Sequence, residues 1–190
     1  MGDGTELIRG RRKSIFVACE GESEQGYAAM LQSFAEDGGL RVHLDLNVPG
    51  RTGNAQKLVT KAIAIAQKKQ RGRSNKYSSK YIVLDTDWLS AVNAENIRMK
   101  KAAAQAGFEL VFQDCCFEAF LLRHFEETRN AAPPNAAEAL KQLSKAWEGY
   151  RKGLSAKDLM KKLNAKMVRA AATRPQNRDF KGLLHDIGLL

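Results

Sequence analysis

Apolar residues follow two alternating rhythms along the first two thirds of this chain. Residues 14–19 include a continuous run, Ile15-Phe16-Val17-Ala18-Cys19, which predicts a strand buried on both faces. The spacing then turns helical over residues 24–36, with Tyr27, Met30, Leu31 and Phe34 on one stripe and Gly38-Gly39 as the stop. Residues 40–48 alternate, with Val42, Leu44 and Leu46 on one face and His43, Asp45 and Asn47 on the other, which predicts a second strand. A loop over 49–54 leads to an amphipathic helix carrying Leu58, Val59, Ala62, Ile63 and Ala66 and ending near Lys68. Residues 69–79 are polar, basic and serine-containing, and read as an exposed connection. A third strand over 80–84, a helix over 91–106 closed by Gly107, and a fourth strand over 108–112 follow. Residues 115–125 form a compact helical segment with Phe117, Leu121, Leu122 and Phe125 apolar. Beyond Pro133-Pro134 the pattern is helical: Leu140, Leu143 and Trp147 line one helix, Leu154, Leu159, Leu163 and Met167 a second, and Phe180, Leu183, Leu184 and Ile187 a short last one.

Strands joined through helices predict an α/β fold with a parallel sheet of about four strands and right-handed crossovers. The expected organisation is an α/β core over residues 1–130 and a basic helical C-terminal extension over 131–190 packed on it, as a single domain overall. A chain of 190 residues with 44% hydrophobic content buries a sizeable core. It contains no stretch of about 18 apolar residues that would span a membrane, and its start lacks the apolar segment of a signal peptide. Cys19, Cys115 and Cys116 form neither a CxxC pair nor a disulfide framework. Reduced thiols in a cytoplasmic protein are the expectation.

Two of the apolar runs end abruptly in carboxylates. The first strand is followed by Glu20-Gly21-Glu22-Ser23-Glu24, and the third by Asp85-Thr86-Asp87. Ligands of open α/β sheets gather beyond the carboxyl ends of the strands, and carboxylates concentrated there suit a hard divalent cation. Glu22 and Glu24 have a plainer use at the positive end of the following helix. Glu20 is tied to the buried strand. Asp85 and Asp87, aimed at the same crevice as Glu20, would repel one another without a cation, although a turn and helix cap is the bland alternative. Glu118, near Asp114 and Cys115, fits the first turn of a helix.

Charge sharpens this picture. The net charge is +10, and from residue 141 onward twelve Lys or Arg stand against four Asp or Glu. An acidic crevice in a basic body points to phosphodiester chemistry on nucleic acid. Tyr150-Arg151-Lys152-Gly153 combines an aromatic with cations, as a backbone contact would. Residues 50–54, with Arg51, are a phosphate-cradling candidate, but they lack the Gly-Lys-Ser/Thr of a P-loop. His43 and His185 share no metal-ligand spacing with each other or with cysteine, which argues against a zinc site, and His124, alone on its helix, reads as structural. Leu89 stands where a haloacid-dehalogenase phosphatase motif needs Thr or Val, and a receiver domain has no use for a basic helical tail.

Three blocks carry a family resemblance: Cys19-Glu20-Gly21-Glu22-Ser23-Glu24 with Tyr27, Val83-Leu84-Asp85-Thr86-Asp87, and Cys116-Phe117-Glu118-Ala119-Phe120-Leu121-Leu122-Arg123-His124-Phe125. Together with Tyr150, Lys152 and Arg174-Pro175-x-Asn177, they resemble the RloB family over nearly the whole chain. Ser23, Ala119 and Trp88 depart from its commoner residues, and Trp88 leaves one or two metals open. The resemblance implies a Toprim-like α/β core from restriction and phage-defence loci, with Glu20, Asp85 and Asp87 as ligands of Mg²⁺ (or Mn²⁺). Glu118 matches a family position without a derivable role. The resulting expectation is a metal-dependent nuclease, with RNA or tRNA slightly ahead of DNA. Glu20 or Glu24 would serve as general base, Lys152 or Arg51 would steady charge, and Arg51, Tyr150, Arg151 and Lys152 would contact nucleic acid. A non-catalytic nucleic-acid- or nucleotide-binding module, working with a partner protein or activator, is the competing expectation.

Overall fold

The computed structural model describes residues 12–50, 53–72, 74 and 76–190. The strands β1 (Lys13–Cys19), β2 (Val42–Asn47), β3 (Ser79–Asp85) and β4 (Glu109–Gln113) form one sheet in the order β2-β1-β3-β4. All three pairings are parallel. After β2 the chain passes β1 to start β3 on its other side, so the topological switch falls between β1 and β3, where such sheets open a ligand crevice. Register places Cys19 beside Val83 and Asp85 beside Gln113. Glu20 and Asp85 therefore leave the sheet from neighbouring strands at the same edge.

Each central strand serves two cores, which is why it reads as an unbroken apolar run. Ile15, Val17, Cys19, Tyr81 and Val83 belong to a cluster with α1 (Glu22–Asp37), α4 (Phe117–Leu122) and the C-terminal helices. Phe16, Ala18, Ile82 and Leu84 face α2 (Ala55–Gln70) and α3 (Asn93–Gln105). The C-terminal elements are α5 (Ala136–Ala146), α6 (Ala156–Met160), α7 (Ala165–Ala172) and α8 (Phe180–Ile187). They bury Leu143, Leu159, Val168, Phe180 and Leu184 in the same cluster as β1.

The structure departs from the expected elements in three informative places. The helix expected through Leu154, Leu159, Leu163 and Met167 is two helices, because the Asn164 side chain accepts the Met167 N–H at 3.0 Å and caps a new start. The connection expected over 69–79 is exposed at most of its described positions but anchored at two: α2 runs on to Gln70, Lys69 pairs with Asp45 at 2.6 Å, and the Tyr77 hydroxyl donates to the same carboxylate. A single tight turn, Thr86–Trp88, lies between β3 and α3, which starts at Asn93.

Two polar anchors and one close backbone approach hold the C-terminal part on the rest of the fold. Asp186 accepts from Lys13 at 3.0 Å, from the Tyr81 hydroxyl at 2.9 Å and from Ser79, fastening α8 beneath β1 and β3. Arg123 is buried and donates to the carbonyls of Asp114 and Ala131 and to Asn177 Oδ1. Gly26 lets α1 touch the segment before α6: a Cβ there would lie 2.2 Å from the Leu154 carbonyl oxygen. A Gly26→Ala variant should lose about 1–3 kcal/mol to this backbone overlap, outweighing the gain in helix propensity of about 1 kcal/mol. The measurement is urea denaturation, and an unchanged midpoint would show that residues 150–155 are not held on α1.

Candidate active site

The carboxylates assemble where buried strands run out. β1 ends at Cys19, Glu20 follows, and α1 begins at Glu22 with Gly21 as its cap. The Glu20 carboxylate reaches across and accepts the Asp85 N–H at 3.2 Å. Glu24 turns back to accept the Gly21 N–H at 3.0 Å, the N3 half of a capping box. Asp85 closes β3 with 8% exposure, and the N–H of Phe117, the first residue of α4, favours its charged form. Its Oδ1 is buried and has no hydrogen-bond partner among the described residues. Asp87 sits exposed in the following turn, its N–H bonded to the Cys115 carbonyl at 3.2 Å.

The fifth acid comes from α4 and its counter-ion from the C-terminal part. Glu118 is 2% exposed, accepts from the Tyr150 hydroxyl at 3.3 Å, and pairs with Lys152 Nζ at 3.1 Å. The segment bearing both partners is docked on α1, where the Gly153 N–H donates to Ser23 Oγ at 3.0 Å. Glu118 does lie in the first turn of α4, yet its carboxylate is spent on Tyr150 and Lys152 rather than on a cap.

Burial and mutual repulsion weaken Glu20, Glu24, Asp85 and Asp87 as acids. Burial pushes Asp85 up to about 9, reinforced by Glu24, Glu20 and Asp87, with the Phe117 N–H pulling the other way. Burial likewise lifts Glu20 to about 7, against the Asp85 N–H, with Glu24 and Asp87 adding to the rise and Lys152 opposing it. Glu24 and Asp87 are also raised, burial first in each case. Burial alone would lower Lys152, but Glu118 beside it holds the ammonium above its ordinary value.

Glu20, Glu24, Asp85, Asp87, Glu118, Tyr150 and Lys152 are thus brought into one electrostatically coupled cluster. Arg151 is exposed, with a charge interaction toward Asp158 instead. Arg51 lies outside the described residues. His124 is buried and bonded to the Tyr27 hydroxyl at 2.6 Å and the Phe120 carbonyl at 3.1 Å, a structural role. Sequence reasoning missed Ser23, which anchors the Lys152 segment, and the Phe117 N–H, which no side-chain pattern could signal.

Among the described residues no three His, Cys, Asp or Glu side chains converge on a point that could hold a metal ion. Glu20, Glu24 and Asp85 each lean on a backbone N–H, and Glu118 on Lys152. The donor chemistry nonetheless fits a hard divalent cation, with carboxylate oxygens from two strand ends and an unpartnered buried oxygen on Asp85.

Fold and site together define an α/β protein with a carboxylate cluster at the C-terminal edge of a parallel sheet. The chain matches the model of the RloB-like protein family over residues 15–181 and belongs to that family. No curated protein matches it. No described helix is long and apolar enough to cross a membrane.

Asp85 has a defined effect on stability. Its folded value of about 9 exceeds the ordinary 3.8, so the folded state holds a proton that the unfolded state releases. The stability this contributes is complete below about pH 4 and is lost as pH rises toward 9. In chelator, Asp85→Asn should flatten that slope and gain about 1–3 kcal/mol at pH 8, the scale of a buried unsatisfied group, with little gain at pH 4. Parallel pH–stability curves for variant and wild type would contradict the assignment.

Proposed function

We propose that this RloB-like protein is a Mg²⁺- or Mn²⁺-dependent nuclease with a Toprim-like catalytic edge, acting on nucleic acid in anti-phage defence. The observation that carries the reading is Asp85: a buried carboxylate with an unpartnered oxygen, flanked by Glu20 and Asp87 and repelled by both. A carboxylate so perturbed by burial and by like charges, in a crevice, is the signature of a functional site, and a hard cation would relieve both costs. Glu20, Asp85 and Asp87 would hold the metal. When bound, it would polarise the scissile phosphate and acidify a water.

The remaining work falls to the chain's own side chains. Glu24, buried and weakened as an acid, or Glu20 would take a proton from the attacking water. Lys152 would move its ammonium from Glu118 to the phosphate as charge develops, with Glu118 and Tyr150 positioning it. The surplus of cations beyond residue 141 supplies attraction to the nucleic-acid backbone, so affinity should fall steeply with salt. RNA, tRNA included, is the first substrate class to test.

A second reading is favoured by the arrangement of the acids, of which no three converge among the described residues. In that reading the protein is a non-catalytic binding module that works with a partner.

The deciding experiment incubates the purified protein with total RNA, supercoiled plasmid and single-stranded DNA, in Mg²⁺, Mn²⁺ or chelator. Metal-dependent cleavage is expected, reduced at least roughly 100-fold in an Asp85→Ala, Asp87→Ala double variant. Lys152→Met should cost about 10- to 1,000-fold. Full-rate cleavage by the double variant would sink the proposal, and salt-sensitive binding without turnover would favour the second reading.

A further inference from the structure

A cavity of about 510 Å³ opens beside the acidic edge, on the α2/α3 side of the sheet. This is within the range of about 300–1,000 Å³ typical of small-ligand sites. Asp87 lines it, so the cavity shares a wall with the acid cluster. Its lining combines the apolar side chains of Trp88, Leu89 and Met99 with the polar ones of Gln56, Glu95 and Asn96.

The polar groups divide into fixed and free. The Asn96 amide is consumed in shaping the wall, accepting the Ser90 N–H at 3.0 Å and donating to the Ser90 carbonyl at 2.7 Å. The side chains of Gln56 and Glu95 have no hydrogen-bond partner among the described residues. Two carboxylates, Asp87 and Glu95, exclude a phosphate from the cavity itself. An aromatic side chain, a free amide and a free carboxylate lining one cavity instead suit a neutral planar group whose edge carries N–H donors.

We infer that this cavity receives the unpaired nucleobase of a nucleic-acid strand, whose phosphates stay outside on the Asp85–Asp87 side. Trp88 stacks on the base, Glu95 accepts from an exocyclic amino or ring N–H group, and Gln56 completes the edge contact. A paired base hides both its faces and its edge. The strand must therefore be single-stranded, or the nucleotide extruded. The inference rests on the nuclease reading for the identity of the strand, and it narrows that reading to substrates with an exposed base next to the cut.

The test is binding in chelator, where nothing is cut. Three labelled oligonucleotides of equal length and charge are compared by anisotropy and tryptophan quenching: a single strand, a fully paired hairpin, and an abasic strand. The single strand should bind about tenfold more tightly than the abasic one, the scale of one base–aromatic stack. Trp88→Ala should erase that preference. Gln56→Ala and Glu95→Ala, both at helix starts, should reduce it several-fold and keep the test decisive if Trp88→Ala fails to fold.

Equal affinity for single and abasic strands would overturn the inference even if metal-dependent cleavage is present. A base preference that depends on Trp88 would sustain the site even if no cleavage is found, so the two proposals fail separately. Free nucleoside monophosphates binding as tightly as the strand would overturn the strand as occupant.

Discussion

Everything at this edge depends on the cost of keeping Asp85 out of water. The carboxylate closes a strand whose preceding residues are fully engaged in two cores, so it cannot move to solvent without dismantling β3. Its neighbours Glu24, Glu20 and Asp87 raise that cost by repulsion. The fold answers with partial compensation: the start of α4 offers the Phe117 N–H, and Lys152 faces the group from the C-terminal part. One oxygen is left over. That imbalance, more than the number of acids, is what a hard cation would relieve.

The C-terminal helices therefore contribute to the site as well as to the charge of the molecule. Tyr150 and Lys152 reach Glu118 because α1 has no side chain at Gly26 and offers Ser23 to the Gly153 N–H. Arg123 ties the Asp114 carbonyl, just before the cysteine pair, to Asn177, so the loop supporting Asp87 is braced by the last quarter of the chain. A buried guanidinium with three separate acceptors is a rigid brace, since losing any one acceptor strands a desolvated donor.

Much of this was legible in the order of residues. The continuous apolar runs before Glu20 and Asp85 announced strands buried on both faces, and β-α alternation announced a parallel sheet, because parallel neighbours need a crossover between them. Glu24 was also legible as a capping residue, and it does accept the Gly21 N–H. The split of α6 from α7 was misjudged because Leu159, Leu163 and Met167 keep helical spacing across it. Asn164 breaks the helix through a local side-chain bond that periodicity does not weigh. Polar composition marks residues 69–79 as an exposed connection, and most of those described are exposed, but composition does not show that Lys69 and Tyr77 converge on Asp45 of a distant strand.

The sequence by itself determined which acids leave buried strands, since an apolar run that must be covered on both faces fixes where its last residue emerges. It also determined that a basic helical region follows, through composition and helical spacing. Tertiary structure alone decided how those acids stand to one another. The order β2-β1-β3-β4 makes β1 and β3 neighbours, which brings Glu20 to the Asp85 N–H across 65 residues of chain. It alone decided that Glu118 meets Lys152, and that Trp88 and Glu95 wall one cavity with Asp87. Contacts between distant segments follow from how whole faces pack, and no local pattern of residue types encodes that.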